Sequence, residues 1–231
     1  MSPILVRKEI NVGELVNIIT PLHKKSARNY IERMVNEKVK CAEIARKYDF
    51  NYWDGDRNHG FGGYKYDGRW AVVAKALIDR YKLGPKAKFL DVGCGKGFLM
   101  YEIKKLLPES TVVGIDISDY AIENAKEEVK PFIKKLAAQD KYPFKDKEFD
   151  LVYSNTTLHN LLNFDLKKAV QEIERVGKNK FICVEAYRSV EELFNLQCWA
   201  LTAEVFLRPE EWVWMYTEYG YTGDYEFIYF E

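Results

Sequence analysis

Between Ala71 and the C-terminus, short apolar runs alternate with amphipathic helical segments, and this alternation constrains the fold of the 231-residue chain most strongly. A short apolar run between turn residues predicts a buried strand, whereas apolar spacings of three and four predict a helix. Strands are predicted at 87–92, 111–116, 133–138, 149–154, 180–185 and 225–230, and helices at 71–81, 97–107, 119–129, 165–175 and 209–220. Because such alternation produces parallel strands, we predict an α/β fold with a doubly wound, mostly parallel sheet and helices on both faces.

The charge balance and the cysteines exclude several classes of protein. The 35 basic and 35 acidic residues give a formal net charge of zero, which argues against nucleic-acid binding through a broad basic surface. No apolar run approaches the roughly 20 residues that span a bilayer, and Met1 to Val6 is too short for a secretory signal. The cysteines form no C-x-x-C pair, and with three histidines they offer no ordinary zinc spacing. We therefore expect reduced thiols, no metal site, no nucleic-acid or membrane partner, and a cytoplasmic location.

Residues 1–70 are predicted to form a helical cap followed by a loop, ahead of a main domain over residues 71–231. Apolar residues between Val12 and Ile19 suit one or two amphipathic turns, which Pro21 would end. Two further helical spacings follow within the cap. The cap is therefore expected to be helical up to the loop.

The zero net charge conceals two segments of opposite charge. Residues 1–50 carry ten basic and six acidic side chains. Residues 185–231 carry two basic and ten acidic side chains, together with 13 of the 34 aromatic residues. Because opposite charges attract, the two segments are predicted to pack together over the site or to meet across a homodimer.

Residues 51–70 contain five of the 14 glycines, which alternate with six aromatic residues. Glycine adopts backbone conformations that other residues resist, but it costs chain entropy, so this density indicates an ordered functional loop. The alternative is a mobile linker, although linkers are usually polar and rich in serine or proline. We predict that this segment covers a ligand.

The sequence Asp91-Val-Gly93-Cys-Gly95-Lys-Gly97 joins the first predicted strand to its helix. Glycines there let the chain turn tightly and let a ligand approach the backbone, while the helix N-terminus offers unpaired amides. Asp116 ends the next strand, 19 residues after Gly97, where a carboxylate can accept both hydroxyls of a ribose. A glycine turn and a ribose-type acid in this strand context predict a nucleoside cofactor.

The pattern D-x-G-x-G-x-G differs from the dinucleotide fingerprint G-x-G-x-x-G, because Phe98 stands at the position of the third glycine. It resembles the first motif of the class I S-adenosylmethionine-dependent methyltransferases, and the resemblance extends over residues 70–185. Asp140 is similar to the acid after that family's third strand, and Phe149–Asn155 to its fourth-strand signature. The resemblance implies a Rossmann-like fold, with S-adenosylmethionine as cofactor and S-adenosylhomocysteine as product.

The resemblance also implies a set of cofactor-binding residues, which lie before the first strand or at the ends of the first four strands. They are Tyr66 and Arg69 (cofactor carboxylate), Asp91, Gly93, Cys94 and Gly95 (glycine turn and methionine part), Asp116 and Ile117 (ribose and one adenine face), Asp140 (adenine edge) and Asn155 (where cofactor and acceptor meet). For Arg69 the alternative is an ion pair with Asp67 or Asp54.

His159 and Glu185 are the candidate catalytic residues. Methyl transfer from a sulfonium is an in-line displacement, so catalysis is mainly alignment, and a hydroxyl acceptor also needs a base. His159 follows the fourth strand, and an unperturbed pKa of about 6.5 suits a general base; the alternative is a structural role beneath the cofactor. Glu185 ends the fifth strand at the ligand-binding rim, where it could orient an acceptor or else pair with Arg188.

The motifs that the chain lacks reduce the range of acceptor molecules. There is no N-P-P-Y or D-P-P-Y after the fourth strand and no Pro-Cys pair, so we predict O- or N-methylation of a small polar metabolite. The glycine-rich segment and the aromatic tail resemble methyltransferases of bacterial polysaccharide or sugar-nucleotide pathways, which favours a sugar or sugar nucleotide. The alternatives are a non-catalytic S-adenosylmethionine-binding regulatory subunit and a nicotinamide-dependent oxidoreductase.

The C-terminal part departs from the family that the chain resembles. A helix from Pro209 to Gly220 leaves Tyr225–Phe230 as the clear remaining strand, whereas the family usually closes its sheet with a pair of strands. Gln197–Leu207 is the predicted source of the missing strand.

Overall fold

The computed structural model describes residues 11–22 and 30–231, so residues 1–10 and 23–29 of the predicted cap lie outside the described residues. Its strands are β1 (Lys88–Val92), β2 (Thr111–Asp116), β3 (Ile133–Lys135), β4 (Phe149–Asn155), β5 (Gly177–Glu185) and β6 (Asp224–Ile228). Within the described residues these strands form one sheet in the order β3-β2-β1-β4-β5-β6, and all neighbours pair in parallel. The predicted doubly wound parallel sheet is confirmed.

Helices connect the strands and cover both faces of the sheet. They are α1 (Tyr30–Asn36), α2 (Lys38–Ala45), α3 (Phe50–Trp53), α4 (Ala71–Arg80), α5 (Phe98–Leu106), α6 (Asp119–Glu123), α7 (Asn163–Val176), α8 (Val190–Trp199) and α9 (Pro209–Tyr219). Because side chains alternate along a strand, Phe89 and Tyr153 pack with α4 and α5 on one face, while Leu90 and Val152 pack with α7 and α9 on the other. None of the helices in the described ranges is long and apolar enough to cross a membrane.

The N-terminal segment covers the β6 edge of the sheet. The N–H of Val16 donates to the carbonyl of Tyr225 at 2.9 Å, and the N–H of Tyr225 donates to the carbonyl of Glu14 at 3.1 Å. The helical turns predicted before Pro21 are therefore wrong. An edge strand presents unpaired N–H and C=O groups, and extended pairing satisfies them, which outweighs the helical spacing of a few apolar residues.

A buried carboxylate holds the end of this segment. Glu226, on β6, is only 1% exposed. Its two oxygens accept the N–H groups of Ile18, Ile19 and Thr20 at distances between 2.6 and 3.0 Å. Hydrogen bonds to an ionised acceptor are stronger than those between neutral groups, so Glu226 fastens the N-terminal segment to the sheet.

One parallel strand, β6, closes the sheet beyond β5. The prediction that Gln197–Leu207 supplies a further strand is wrong, because the chain up to Trp199 belongs to α8 and the residues from Ala200 to Arg208 are irregular. Parallel neighbours need a long crossover connection, and α8 and α9 form that connection between β5 and β6.

The cap contacts the C-terminal part of the chain through its basic side chains. Arg33 donates to the carbonyl oxygens of Cys198 (2.9 Å) and Trp199 (2.7 Å), and Lys38 donates to that of Gln197 (2.7 Å). These carbonyls end α8, where a helix carries partial negative charge. Burial, together with the charge of Arg33, lowers the pKa of Lys38 to about 8. The basic cap thus meets the C-terminal segment within a single chain.

We expect Glu226→Gln to lower the free energy of unfolding by about 2 kcal/mol, because a neutral amide with one oxygen replaces a charged acceptor shared by three N–H groups. Urea unfolding at neutral pH measures the change. Glu123→Gln, at the exposed end of α6, is the control and should change the free energy by less than about 0.5 kcal/mol. Equal effects of the two substitutions would contradict the role of Glu226.

Candidate cofactor and active site

Three glycines shape the turn between β1 and α5. Gly93, Gly95 and Gly97 have φ angles of 80°, 53° and 71°, in the left-handed region that favours glycine. A Cβ at Gly93 would lie 2.2 Å from Oγ1 of Thr157, and one at Gly97 would lie 2.9 Å from Cγ2 of Val129. The glycines are therefore required both by the backbone conformation and by the space around it.

The end of β2 holds this turn in place. The N–H of Gly93 donates to the carbonyl of Ile115 at 2.8 Å. The carboxylate of Asp116 accepts the N–H groups of Gly95 (2.7 Å) and Ser118 (2.8 Å). Burial raises the pKa of Asp116, and these two N–H donors oppose the rise. The structure thus brings the predicted ribose acid against the glycine turn.

Ile117 and Asp140 lie at the same edge of the sheet, beyond Asp116. The side chain of Ile117 is 48% exposed. Asp140 is exposed on the loop after β3, and its carboxylate accepts the N–H of Ala137 at 3.3 Å. Because β2 and β3 are neighbours, an open apolar surface lies at the same edge as two carboxylates. Ligand pockets combine apolar walls with a few polar groups in this way.

Three further predicted residues lie around the turn. Asp91 lies at the end of β1, and burial raises its pKa to about 8. Burial also raises the pKa of the Cys94 thiol well above its ordinary value. Asn155 ends β4, and its Oδ1 is buried with no hydrogen-bond partner in the described part of the chain. Asn155 therefore offers an acceptor where β1 and β4 end.

We call residues 48–64 the roof segment. Trp53 belongs to this segment and lies over the turn, although the sequence patterns did not single it out. Its indole N–H lies 2.9 Å from Oγ of Ser118 and 3.1 Å from the carbonyl oxygen of Tyr48. A Cβ at Gly95 would lie 2.7 Å from the indole ring, so the missing side chain makes room for Trp53. A tryptophan within a glycine-rich segment was the signal that could have identified it.

Other residues of the roof segment also pack against the turn. The rings of Trp53 and Phe61 are stacked, with centroids 5.3 Å apart and planes 9° apart. Lys96, in the turn, reaches Oδ2 of Asp54 at 2.6 Å and the carbonyl oxygen of Tyr64 at 3.0 Å. These contacts favour the ordered covering loop over the mobile linker.

Tyr66 and Arg69, predicted to meet the cofactor carboxylate, have partners elsewhere. The hydroxyl of Tyr66 donates to Glu102 on α5. Nε of Arg69 donates to Oδ2 of Asp67 at 2.6 Å, which is the ion-pair alternative. These positions do not support the predicted contacts, because the Tyr66 hydroxyl and Nε of Arg69 already have partners within the protein.

His159 and Glu185 form a buried pair where β4 and β5 end. Both residues are 3% exposed, and Nε2 of His159 lies 3.4 Å from Oε2 of Glu185. Nδ1 of His159 accepts the N–H of Glu185 at 3.4 Å, so the neutral ring carries its proton on Nε2. Arg188, the alternative partner predicted for Glu185, pairs instead with Glu192 and Glu231.

Burial changes the protonation of this pair. It lowers the pKa of His159 to about 3 and raises that of Glu185 to about 8. A general base works best when its pKa lies near the operating pH, so the burial of His159 favours the structural alternative over the predicted role of a general base. The backbone carbonyl of His159 accepts the N–H groups of Glu204 and Val205, which joins the turn after β4 to this C-terminal segment.

Solved structures show the same fold. The YcgJ protein of Bacillus subtilis aligns over 63% of this chain and 66% of its own, with a TM-score of 0.52 and 20% sequence identity. A putative methyltransferase of Bacillus halodurans aligns over 63% and 67%, with a TM-score of 0.52 and 18% identity. At these identities the likeness concerns the fold alone.

Curated relatives match part of the chain. The mitochondrial arginine-hydroxylase NDUFAF5 of Mus musculus is 33% identical over 115 residues, which cover 50% of this chain and 33% of that protein. The malonyl-[acyl-carrier protein] O-methyltransferase of Legionella pneumophila is 33% identical over 112 residues, which cover 45% of this chain and 38% of that protein. The matched region thus spans about a third to two fifths of the length of these relatives.

Residues 83–220, well over half of the chain, match the family described as Methyltransferase domain. The match includes the glycine turn and the residues after β2, β3 and β4. The groups there fit a nucleoside cofactor, since they combine two hydrogen-bond acceptors, the Asp116 carboxylate and the unpartnered Oδ1 of Asn155, with the exposed apolar surface of Ile117. The chain belongs to the class I S-adenosylmethionine-dependent methyltransferase family, whose cofactor is S-adenosylmethionine.

Proposed function

We propose that this protein transfers a methyl group from S-adenosylmethionine to an oxygen or nitrogen atom of a small polar metabolite. The position of Asp116 carries the proposal. Two backbone N–H groups orient its carboxylate beside the glycine turn, and the open side chain of Ile117 follows it. A carboxylate at this place in a doubly wound sheet accepts ribose hydroxyls.

Residues at the carboxyl ends of four strands would hold the cofactor. Asp116 suits the ribose, Ile117 and Asp140 suit the adenine, and Asn155 offers an acceptor near the glycine turn. The bound cofactor supplies a methyl group activated by a sulfonium. Because the indole of Trp53 rests on Gly95, the roof segment has to shift before a ligand contacts that stretch of backbone. The protein then aligns the acceptor and excludes water.

The acceptor would bind between the roof segment and the ends of β4 and β5. The pKa of Tyr52 is raised by burial and then by the nearby Tyr48, Glu185 and Asp116. This shift supports the proposal that Tyr52 belongs to the acceptor site together with the predicted ribose acid and the buried carboxyl of Glu185. A sugar derivative, favoured by the resemblance of the glycine-rich segment, is one acceptor of the proposed class.

The cellular setting belongs to the same proposal. The cysteines of the described residues, Cys41, Cys94, Cys183 and Cys198, are all free thiols. Free thiols persist in a reducing compartment, which supports a cytoplasmic enzyme acting on a small molecule.

Hydroxylation is the second candidate function. The observation that favours it is the 33% identity with proteins named arginine-hydroxylase NDUFAF5. The two reactions leave different products, since methylation adds one CH2 group to the acceptor and hydroxylation adds one oxygen atom.

We expect Asp116→Ala to weaken the binding of S-adenosylhomocysteine by at least about tenfold, because the ribose hydroxyls lose a charged acceptor. Calorimetry measures the dissociation constants. Asp119→Ala is the control, because that exposed carboxylate pairs with Lys135 at 2.6 Å. Wild-type affinity in Asp116→Ala would contradict the role of Asp116, and a wild-type protein that does not bind S-adenosylhomocysteine would overturn the proposed function.

Turnover separates the candidate functions. Pools of sugar nucleotides, amines and hydroxy acids are incubated with S-adenosylmethionine, and mass spectrometry follows both the release of S-adenosylhomocysteine and the mass of the acceptor. We expect release of S-adenosylhomocysteine together with a gain of one CH2 group. A gain of one oxygen without that release would establish hydroxylation, and cofactor binding without any product would favour a regulatory subunit.

Asp91→Asn tests the buried acid at the end of β1. The folded pKa of about 8 lies above the ordinary value, so the folded protein keeps a proton that the unfolded chain releases as pH rises from about 4 to 8. The stability of the wild type should therefore fall relative to that of the variant over this range. Urea unfolding at about pH 5, 6.5 and 8 measures the difference. A difference that does not change with pH would contradict the assignment.

A further inference from the structure

Glu185 has an acceptor oxygen that the protein leaves unsatisfied. The residue is 3% exposed, and among the residues that the structure describes its Oε2 has no hydrogen-bond partner. Nε2 of His159 lies 3.4 Å away but does not form a hydrogen bond with it. Because a buried unpaired polar atom costs free energy, a ligand is one explanation of such an atom in a native protein.

Two other acceptor oxygens follow the same part of the sheet. Oδ1 of Asn155, at the end of β4, and Oδ1 of Asn160, in the 3-10 turn after it, are also buried and lack partners within residues 11–22 and 30–231. The amide of Asn160 is held by its Nδ2, which donates to the carbonyl of Thr157 at 3.0 Å. A ligand that satisfies these oxygens must bring hydrogen-bond donors.

The ionisable groups around Glu185 bring it no positive charge. His159 faces it from the turn after β4, and burial lowers the pKa of that ring to about 3. Tyr52 approaches from the roof segment and Cys183 lies on the same strand, and burial raises the pKa of both. All three groups are uncharged at neutral pH. Arg188, further along the chain, is paired with Glu192 at 2.9 Å.

We infer that the acceptor is a cationic nitrogen compound, whose ammonium or guanidinium group binds Glu185 between the roof segment and the ends of β4 and β5. This inference rests on the proposed function and narrows its substrate class. A cationic nitrogen group brings several N–H donors. It also compensates the charge of a buried carboxylate. A neutral hydroxyl brings one donor and no charge.

Binding of such a cation also releases a proton. Burial raises the pKa of Glu185 to about 8 in the ligand-free protein, so its carboxyl is protonated at about pH 7. A bound cation favours the ionised form, so the carboxyl loses its proton as the cation binds. The affinity for a cation therefore rises as pH rises toward 8, whereas a neutral ligand, which does not favour the ionised carboxylate, shows no such rise.

Calorimetry with cadaverine, methylguanidine and 1,5-pentanediol tests the inference on protein saturated with S-adenosylhomocysteine. The two cations should bind at least about 30-fold more tightly than the diol. Each should release about one proton near pH 7, as measured by the heat of binding in buffers of different ionisation enthalpy. A higher affinity for cadaverine indicates an ammonium acceptor, and a higher affinity for methylguanidine a guanidinium acceptor.

Glu185→Gln keeps the shape of the side chain and removes its charge. We expect it to lose the preference for cations and the proton release, while it still binds S-adenosylhomocysteine. Glu102→Gln is the matched control, because Glu102 is a buried carboxyl on α5 that already pairs with Lys105 at 3.1 Å. The control should keep both the preference and the proton release.

Equal affinity for the diol and the cations, or unchanged proton release in Glu185→Gln, would overturn the inference. Hydroxyl acceptors that are methylated while neither cation binds would also overturn it and leave the proposed methyl transfer standing. A measurement on the wild type keeps the test independent of how the variant folds. The proton release of the wild-type protein should disappear above about pH 9, where the carboxyl of Glu185 is already ionised. Unchanged release at that pH would contradict the assignment of the released proton to Glu185.

Discussion

The left-handed backbone of Gly93, Gly95 and Gly97 is the constraint on which the site depends. Residues with a side chain rarely adopt this conformation, and a Cβ at each of these positions would collide with a neighbour. The turn brings the N–H of Gly95 to the carboxylate of Asp116. It also leaves room for the indole of Trp53 on the outside. The conformation of this turn therefore positions both Asp116 and the roof segment around the proposed cofactor site.

The buried acids show how the site differs from the rest of the fold. Glu226 is satisfied by three backbone N–H groups and fastens the N-terminal segment to the sheet. Asp91 and Glu185, at the carboxyl edge of the sheet, have pKa values raised to about 8 by burial. Burial without full compensation lowers stability, and a charged ligand can provide that compensation. Glu226 thus differs from Asp91 and Glu185 in that three backbone N–H groups compensate its burial.

Sequence patterns predicted best where the physical cause is local. The strands of the sheet and the turn from Gly93 to Gly97 follow from short apolar runs and from glycine conformation, so they appear as predicted. The segment before Pro21 was predicted as helical turns, because its apolar spacing carries no information about the edge of β6. The lowered pKa of His159 could not be predicted from the sequence for a similar reason, since it follows from burial in the folded protein.

The sequence by itself determined the fold class, the position of the glycine turn and the acid that follows it, because each depends on residues close together in the chain. Only the tertiary structure decided that Trp53 lies over Gly95, that Tyr66 bonds to Glu102, and that Glu185 is buried with an unpaired oxygen. These features depend on which segments meet after folding. Burial and pairing set the charge of a side chain, and neither can be read from residue type and spacing.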